Sequence, residues 1–228
     1  MKYALPPFAL PTLEVAGTDE RFPVHRIYCV GRNYADHVRE MGSDPKRDPP
    51  IFFSKPADAV VANGAPVPYP SQTKNLHHEI ELVVAIGRGG RDIPVAGALE
   101  HVFGYAVGND LTRRDLQHAA KNAGAPWDVA KGFDQSAPVT AIRRAADVGH
   151  LASGSIWLEV NGEPRQRSDL TEMIWSVPEI VAALSAFFEL QPGDLVFTGT
   201  PAGVGSVVRG DSIVGGIEGL DTLRTTIV

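Results

Sequence analysis

The stretch HHEIELVVAI at residues 77–86 decides the fold of this chain. Its second half is rich in β-branched residues and Gly87 follows it, a pattern that predicts a strand. Alternate side chains of a strand share a face, so Glu79 and Glu81 point the same way, whereas a helix would set them about 200° apart. The opposite face and the rest of the glutamate face are apolar. We therefore predict a strand that is buried on both sides and carries two glutamates.

Two carboxylates in apolar surroundings repel each other and are poorly hydrated, so either one stays protonated or a cation compensates both. Mg²⁺ and Mn²⁺ prefer carboxylate oxygens, and the pair therefore predicts an open metal site that needs at least one further ligand. Two alternatives remain open. The strand could lie at a sheet edge with its glutamates in water, or His77, on the same face, could complete a zinc site.

The sequence VFGYAVG at residues 102–108 predicts the next strand and delivers Asp110 at its end, where active-site groups commonly have a rigid support. Asp110 is the third predicted metal ligand. Thr112 and Asp115 then have the spacing of a capping box, which predicts a helix that ends by Gly124.

Residues 33–42 predict a short helix with Asn33 as N-cap and Gly42 as the stop, followed by a polar loop over residues 43–50. His37 and Glu40 are three positions apart and share a side of this helix. A carboxylate that touches an imidazole raises its basicity and fixes its tautomer, which suits a general base that activates water. The alternative is an exposed surface pair.

At 228 residues the chain fits one large domain with a short arm, and we predict a proline-rich arm over residues 1–22 and a single catalytic domain over 23–228. The 23 glycines and 18 prolines indicate many turns between short strands, hence an α+β fold that is mainly β. Asn161-Gly162 predicts a hairpin turn, and a packed helix is predicted to begin near Val177. The loop TGTPAGVG at 198–205 is not a Walker motif, but its backbone N–H groups could bind a carboxylate.

A net charge of −6 argues against a nucleic-acid partner. No apolar run is long enough to span a membrane, and the start is unlike a secretory signal. The single Cys29 lies in an apolar run and is predicted to be a core residue. These features predict a cytoplasmic protein that binds a small molecule.

Five segments together resemble the fumarylacetoacetate hydrolase superfamily: CVGRNYADHVREM at 29–41, HHEIEL at 77–82, NDLTRRDLQ at 109–117, PWDVAKGFD at 126–134, and 192–205. The resemblance spans roughly residues 24–228 and is closest to its short acylpyruvate-hydrolase members, in particular bacterial fumarylpyruvate hydrolases. It implies a mixed β-sandwich roll with short helices and a mobile lid, usually a homodimer. It also implies Mg²⁺ or Mn²⁺ bound by Glu79, Glu81 and Asp110.

The resemblance further implies that His37 and Glu40 activate water on the lid. The residues that it places against substrate are Gln117, Lys131 and Thr200, with Gly199 beside them. Arg113 stands where the pattern has a small residue. A distal carboxylate of the substrate needs a cationic partner, for which Arg32, Arg113 and Arg114 are the candidates because guanidinium binds carboxylate with two parallel hydrogen bonds.

The implied activity is hydrolysis of fumarylpyruvate to fumarate and pyruvate, a step of gentisate-type aromatic degradation. Oxaloacetate decarboxylation and a general acylpyruvase are the enzymatic alternatives, since both release the same pyruvate enolate. The alternative of another class is a non-catalytic protein that binds a metabolite or a metal. The intact His37, Glu40 and Lys131 favour an enzyme.

Overall fold

The computed structural model of the protein describes residues 3–42 and 48–228. The strands are Thr12–Glu14 (β1), Arg21–Pro23 (β2), Ile27–Gly31 (β3), Ile51–Lys55 (β4), Val60–Ala62 (β5), Leu76–His78 (β6), Ile80–Ile86 (β7), Val102–Asn109 (β8), Thr112–Arg113 (β9), Ala137–Val139 (β10), Arg143–Arg144 (β11), Ser155–Val160 (β12), Glu163–Asp169 (β13), Leu195–Phe197 (β14), Gly205–Val207 (β15), Ser212–Ile217 (β16) and Leu223–Thr226 (β17). The α-helices are Ala35–Glu40 (α1), Arg114–Ala123 (α2), Asp128–Lys131 (α3), Ala145–Val148 (α4) and Val177–Phe187 (α5), and 3₁₀ turns occupy Ala57–Ala59, Val95–His101 and Leu170–Glu172.

The strands form one large mixed sheet and three smaller sheets. The large sheet has the order β4-β3-β14-β7-β8-β10-β5, with β11 paired to β8. Most of its pairs are antiparallel, while β14 with β3 and β10 with β5 are parallel. The smaller sheets are β13-β12-β16-β17, β15-β6-β9 and the ribbon β1-β2. The prediction of a mainly β fold of mixed, packed sheets is confirmed.

Strand β7 lies inside the large sheet and is buried on both faces, as predicted. Its even-numbered residues, from Ile80 to Ile86, pack in the core that also holds Ile156 and Ile217 of the four-stranded sheet. Val83 and its neighbours on the other face pack in a second core. The predicted single strand over 77–86 is interrupted at Glu79, whose N–H donates to the side chain of Asn109 at 2.8 Å. The segments before and after this break belong to different sheets.

The second core continues into the N-terminal ribbon. Leu13 and Val15 alternate with the exposed Glu14, and both are at most 3% exposed. The backbone N–H of Ala16 also donates to Ile142 O at 2.9 Å. The ribbon therefore packs in the same core as β7 and β14.

Two predicted helix caps are wrong. Asn33 does not cap α1, whose N-cap is Tyr34. The buried Asn33 side chain instead forms hydrogen bonds with the backbone of Trp175 and the carbonyl of Thr198. Asp115 does not complete a capping box, because its carboxylate accepts hydrogen bonds from the Thr73 hydroxyl and the Lys74 N–H. In both cases a partner distant in sequence has replaced the local one.

The other local predictions are confirmed. Gly42 follows α1 with a φ of 72°, Gly124 ends α2, and Asn161-Gly162 joins β12 to β13 with two positive φ angles. Helix α5 begins at Val177. The predicted loop at 43–50 lies largely outside the described residues. Cys29 is fully buried, and burial raises the pKa of its thiol well above the usual value. Among the described residues no helix is long and apolar enough to cross a membrane.

Candidate active site

Three buried carboxylates meet where β7 and β8 pair. Glu79 precedes β7, Glu81 is its second residue, and Asp110 follows β8. The antiparallel register sets Glu81 opposite Gly108, and the Asp110 N–H donates to Glu79 O at 2.8 Å. One oxygen from each carboxylate lies within 4.8 Å of the others, and the three residues are at most 4% exposed. The structure thus brings the three predicted ligands together.

Buried cations surround this carboxylate cluster. Lys131, at the end of α3, donates to Glu79 Oε2 at 2.7 Å and to Asp110 Oδ2 at 2.6 Å. Arg114 NH2 donates to Glu79 Oε1. Lys55 Nζ pairs with Asp110 Oδ1 at 2.7 Å, without the angles of a hydrogen bond. Buried side-chain cations therefore compensate part of the negative charge of the carboxylates. The sequence had predicted compensation by a proton or a metal alone.

The pKa values of Glu79 and Glu81 shift in opposite directions. Burial opposes ionisation of Glu79, but the Lys131 ammonium and the Arg114 guanidinium together hold its pKa below the usual range. Burial raises the pKa of Glu81 well above its usual value, and the neighbouring Asp110 and Glu79 charges add to this. Glu81 Oε2 accepts a hydrogen bond from the Gly199 N–H at 2.7 Å. The raised pKa of Glu81 favours its protonated form, while the Lys131 ammonium compensates the charges of Glu79 and Asp110.

The donor set fits a hard divalent cation. Carboxylate oxygens from Glu79, Glu81 and Asp110 converge on one point, and the ion would replace the proton that Glu81 favours. His77 is not part of this cluster. Its Nδ1 accepts from Arg114 Nε at 3.3 Å and its Nε2 faces Asn75 at 3.0 Å. Burial, with Arg114 beside it, lowers the pKa of His77 to about 4. The structure gives the zinc alternative no support.

Lys131→Met should destabilise the metal-free protein by about 3–5 kcal/mol, because Glu79 and Asp110 lose a buried partner. Urea unfolding in the presence of a chelator measures this change. Lys121→Met is the matched control, since Lys121 is an exposed lysine near the same cavity and its loss should cost less than about 0.5 kcal/mol. Equal unfolding midpoints for the two variants would contradict the compensating role of Lys131.

The His37–Glu40 pair forms as predicted. His37 Nδ1 lies 3.0 Å from Glu40 Oε2, and Glu40 Oε1 accepts from the Gly203 N–H at 3.0 Å. Burial opposes ionisation of Glu40, but the hydrogen bonds from His37 and Gly203 lower its pKa overall. An ionised Glu40 accepts a hydrogen bond from the Nδ1–H of the imidazole, which fixes the tautomer whose Nε2 carries the lone pair that a base needs. His37 is only 7% exposed, whereas Glu40 is exposed, so the imidazole of the pair is buried while its carboxylate reaches the surface.

A single cavity connects the pair to the carboxylate cluster. Its lining includes Arg32, His37, Glu79, Gln117 and Thr200. Glu81, Arg114 and Lys131 also line it, whereas Asp110 and Glu40 do not line it but bond the lining residues Lys131 and His37. Gly199 contributes its N–H to Glu81, and a Cβ there would lie 2.7 Å from Asn33 Cβ, so a glycine is required.

Arg113 faces elsewhere. Its guanidinium lies 4.5 Å from the centre of the Phe133 ring, and NH1 donates to Val129 O at 3.1 Å. Arg113 lines a different surface depression with these residues, so its candidacy for a distal substrate carboxylate is not supported. Arg113 ends β9 and Arg114 begins α2, so the two side chains point in different directions. Of these two arginines, Arg114 alone lines the cavity.

Sequence reasoning missed three residues of this region. Lys55 is buried against Asp110. His118 and Lys121 line the cavity on the same side of α2 as Gln117. The spacing of 117, 118 and 121 on one helix was the available signal, because residues three or four apart share a face.

The family model for fumarylacetoacetate (FAA) hydrolase C-terminal matches residues 26–228. Fumarylpyruvate hydrolase from Pseudomonas aeruginosa, crystallised with Mn²⁺ and pyruvate, is 57% identical with a TM-score of 0.97, covering 100% of this chain and 99% of that chain. Fumarylpyruvate hydrolase from Ralstonia sp is 45% identical over 177 residues, 78% of this chain and 92% of its own length.

A second group of relatives has a different activity in its name. The mitochondrial oxaloacetate tautomerase of Homo sapiens is 45% identical over 194 residues, which is 85% of this chain and 87% of its own length. Residues 26–228, which the family model matches, include the carboxylate cluster, the His37–Glu40 pair and the cavity between them. The chain belongs to the fumarylacetoacetate hydrolase family.

Proposed function

We propose that this protein is a metal-dependent hydrolase that cleaves a carbon–carbon bond of an acylpyruvate, with fumarylpyruvate as the substrate and fumarate and pyruvate as products. The observation that carries the proposal is one cavity that joins the buried carboxylate cluster to the His37–Glu40 pair. The 57% identity to a fumarylpyruvate hydrolase crystallised with Mn²⁺ and pyruvate supports the substrate class.

Glu79, Glu81 and Asp110 would hold Mg²⁺ or Mn²⁺. When bound, the ion supplies Lewis-acid stabilisation of the negative charge that develops on the pyruvate part of the substrate. Of the described groups, these three carboxylates are the ones with the required convergence.

His37 acts as the general base. Its Nε2 takes a proton from water, and the ionised Glu40 stabilises the imidazolium that forms. The water oxygen adds to the 4-carbonyl carbon of the acylpyruvate. The bond between C3 and C4 then breaks, the enolate of pyruvate leaves, and the His37 imidazolium returns its proton to C3, which regenerates the base.

Gln117 and Lys131 stabilise the oxyanion of this addition. Gln117 Oε1 accepts from Arg114, which leaves the amide hydrogens of Gln117 for the cavity. The Lys131 ammonium donates to Glu79 and Asp110 and has a third hydrogen available. Donors held in place before the reaction stabilise developing charge most effectively.

The buried charges also suit an anionic substrate. The carboxylates of the cluster are balanced by Lys55, Lys131 and Arg114 when all are ionised. A divalent ion would then leave two positive charges in a water-poor cavity. Fumarylpyruvate carries two carboxylates and would neutralise them.

We expect kcat/KM for fumarylpyruvate to exceed that for acetylpyruvate by about ten- to a hundred-fold, the scale of one charge-assisted hydrogen bond. Arg32 and Lys121 are the cavity cations proposed to hold the distal carboxylate, and Arg114 is already paired to Glu79. Side-by-side rate measurements with both substrates test this preference. Equal or better efficiency with acetylpyruvate would point instead to a general acylpyruvase.

Oxaloacetate chemistry is the second candidate, favoured by the relatives that are named oxaloacetate tautomerases. Tautomerisation moves a proton and needs no attacking water, and decarboxylation of oxaloacetate also proceeds without it. Following the enol absorbance of oxaloacetate and the release of CO₂ separates these reactions from hydrolysis. Faster turnover of oxaloacetate than of any acylpyruvate would replace the hydrolase proposal.

We further propose a cytoplasmic homodimer that takes part in aromatic catabolism, with α1 as a mobile lid. Support for association comes from the arm, where Tyr3, Leu5, Phe8 and Leu10 are all at least 62% exposed. Apolar side chains in this number commonly mark an interface. Sedimentation of the full chain and of a chain lacking residues 1–11 tests whether the arm supports the dimer.

A further inference from the structure

Gln166 lies on β13, outside the carboxylate cluster, and is 1% exposed. Its Oε1 accepts from the Ile80 N–H at 3.1 Å and faces His78 Nδ1 at 2.9 Å. Its Nε2 donates to Thr200 Oγ1 at 2.7 Å and to Pro201 O at 2.8 Å. All four hydrogen-bonding positions of the side-chain amide are therefore used.

Two backbone groups determine which way this amide points. The Ile80 N–H can only donate, so the Gln166 atom that faces it must be the oxygen. The Pro201 carbonyl can only accept, so the atom that faces it must be the nitrogen. The same nitrogen faces Thr200, and Gln166 is consequently the donor in that hydrogen bond.

The direction of this bond decides what the Thr200 hydroxyl can do. A hydroxyl that accepts from Gln166 still has its own hydrogen to donate. No acceptor for that hydrogen is found among residues 3–42 and 48–228, and Thr200 lines the cavity. We infer that Gln166 is a positioning residue that turns the Thr200 hydroxyl hydrogen toward the cavity, where it donates to a carboxylate oxygen of the substrate.

Strand β13 also fixes the loop that carries Thr200. A Cβ at Gly203 would lie 2.0 Å from Arg165 O, so the loop and the strand are in direct contact. At one end of the loop the Gly199 N–H binds Glu81, and at the other the Gly203 N–H binds Glu40. Thr200 is thereby held between Glu81, a proposed metal ligand, and the His37–Glu40 pair. The inference rests on the proposed function, since it assigns the hydroxyl to an acylpyruvate.

Gln166→Glu reverses the hydrogen bond with little change of shape. The oxygen that replaces Nε2 has at most one hydrogen, which the Pro201 carbonyl requires, so the Thr200 hydroxyl must donate to this oxygen and is lost to the substrate. We expect KM for fumarylpyruvate to rise about ten- to a hundred-fold while kcat changes little, because the contact is present in the bound substrate as well as the transition state. The Kd for pyruvate, titrated calorimetrically into the Mn²⁺-loaded protein, should rise by a similar factor.

A double-mutant cycle separates this effect from the added negative charge. Thr200→Val should reproduce the losses of Gln166→Glu, and the double variant should be no worse than Thr200→Val alone. Thr200→Ser should recover most of the pyruvate affinity that valine loses. Glu163→Gln, an exposed change on the same strand, is the control that should leave KM and Kd unchanged.

Wild-type KM and pyruvate Kd in Gln166→Glu, or losses that add to those of Thr200→Val, would overturn the inference. If thermal melting shows that Gln166→Glu does not fold, Gln166→Met takes its place in the cycle with the same criterion of non-additivity. A wild-type protein that binds pyruvate but turns over no acylpyruvate would sink the proposed function, and the pyruvate titrations would still decide the role of Gln166. Absence of pyruvate binding in the wild type would overturn both.

Discussion

Replacing His37 by alanine is expected to lower kcat for acylpyruvate hydrolysis by about 10²–10⁴-fold, the usual effect of losing a general base. The reason is geometric. Glu40 fixes Nδ1 of the imidazole at 3.0 Å, which leaves Nε2 as the atom able to take a proton from water in the cavity. Steady-state kinetics of the Mn²⁺-loaded variant measure the loss, and Mn²⁺ affinity should persist because His37 is outside the carboxylate cluster.

Two further variants make this result specific. Glu40→Gln should act in the same direction, because it removes the charge that stabilises the imidazolium. Arg39→Ala on the same helix should leave the rate unchanged, since Arg39 is exposed and pairs only with Asp36 among the described contacts. Near-normal kcat in His37→Ala would show that the pair is not the base. Retained oxaloacetate turnover in that variant would identify a reaction that needs no activated water.

Removing divalent metal should abolish turnover, with a fall of at least about 10³-fold, because a bound cation supplies several kcal/mol of stabilisation to the leaving enolate. Mg²⁺ or Mn²⁺ should restore the activity. The binding stoichiometry should be one ion per chain and should be lost in Asp110→Asn, as judged by calorimetry. Full activity after exhaustive chelation would contradict the metal assignment, and tight stoichiometric Zn²⁺ would revive a site that includes His77.

Metal affinity should also depend on pH with a defined sign. In the metal-free site burial raises the pKa of Glu81, so this side chain holds a proton at pH values where an ordinary glutamate is ionised. The ion must displace that proton, and its apparent Kd should therefore tighten as pH rises through the raised pKa and weaken below it. Calorimetry of Mn²⁺ binding in buffers of different ionisation enthalpy measures the proton release. A pH-independent Kd would mean that Glu81 is already ionised without metal.

The sequence by itself determined those features that depend on near neighbours in the chain. The two-residue period of β7 set Glu81 on the face opposite Ile80 and Leu82, and Glu79, directly before the strand, converges with Glu81. The three-residue spacing of His37 and Glu40 brought them into contact, and Asn161-Gly162 supplied the positive φ angles of the hairpin. Each of these follows from the local geometry of a strand, a helix or a turn, which depends on residues close in sequence.

The tertiary structure alone decided how the site is neutralised and oriented. Lys131 reaches Glu79 across 52 residues of sequence, and Gln166 reaches Thr200 across 34. Distant partners also displaced Asn33 from a helix cap, and Phe133 and Val129 hold Arg113 away from the cavity that its neighbour Arg114 lines. The physical reason is that a buried polar group must find its partner wherever packing places one. That choice depends on the sheet topology as a whole, which no single segment of the sequence specifies.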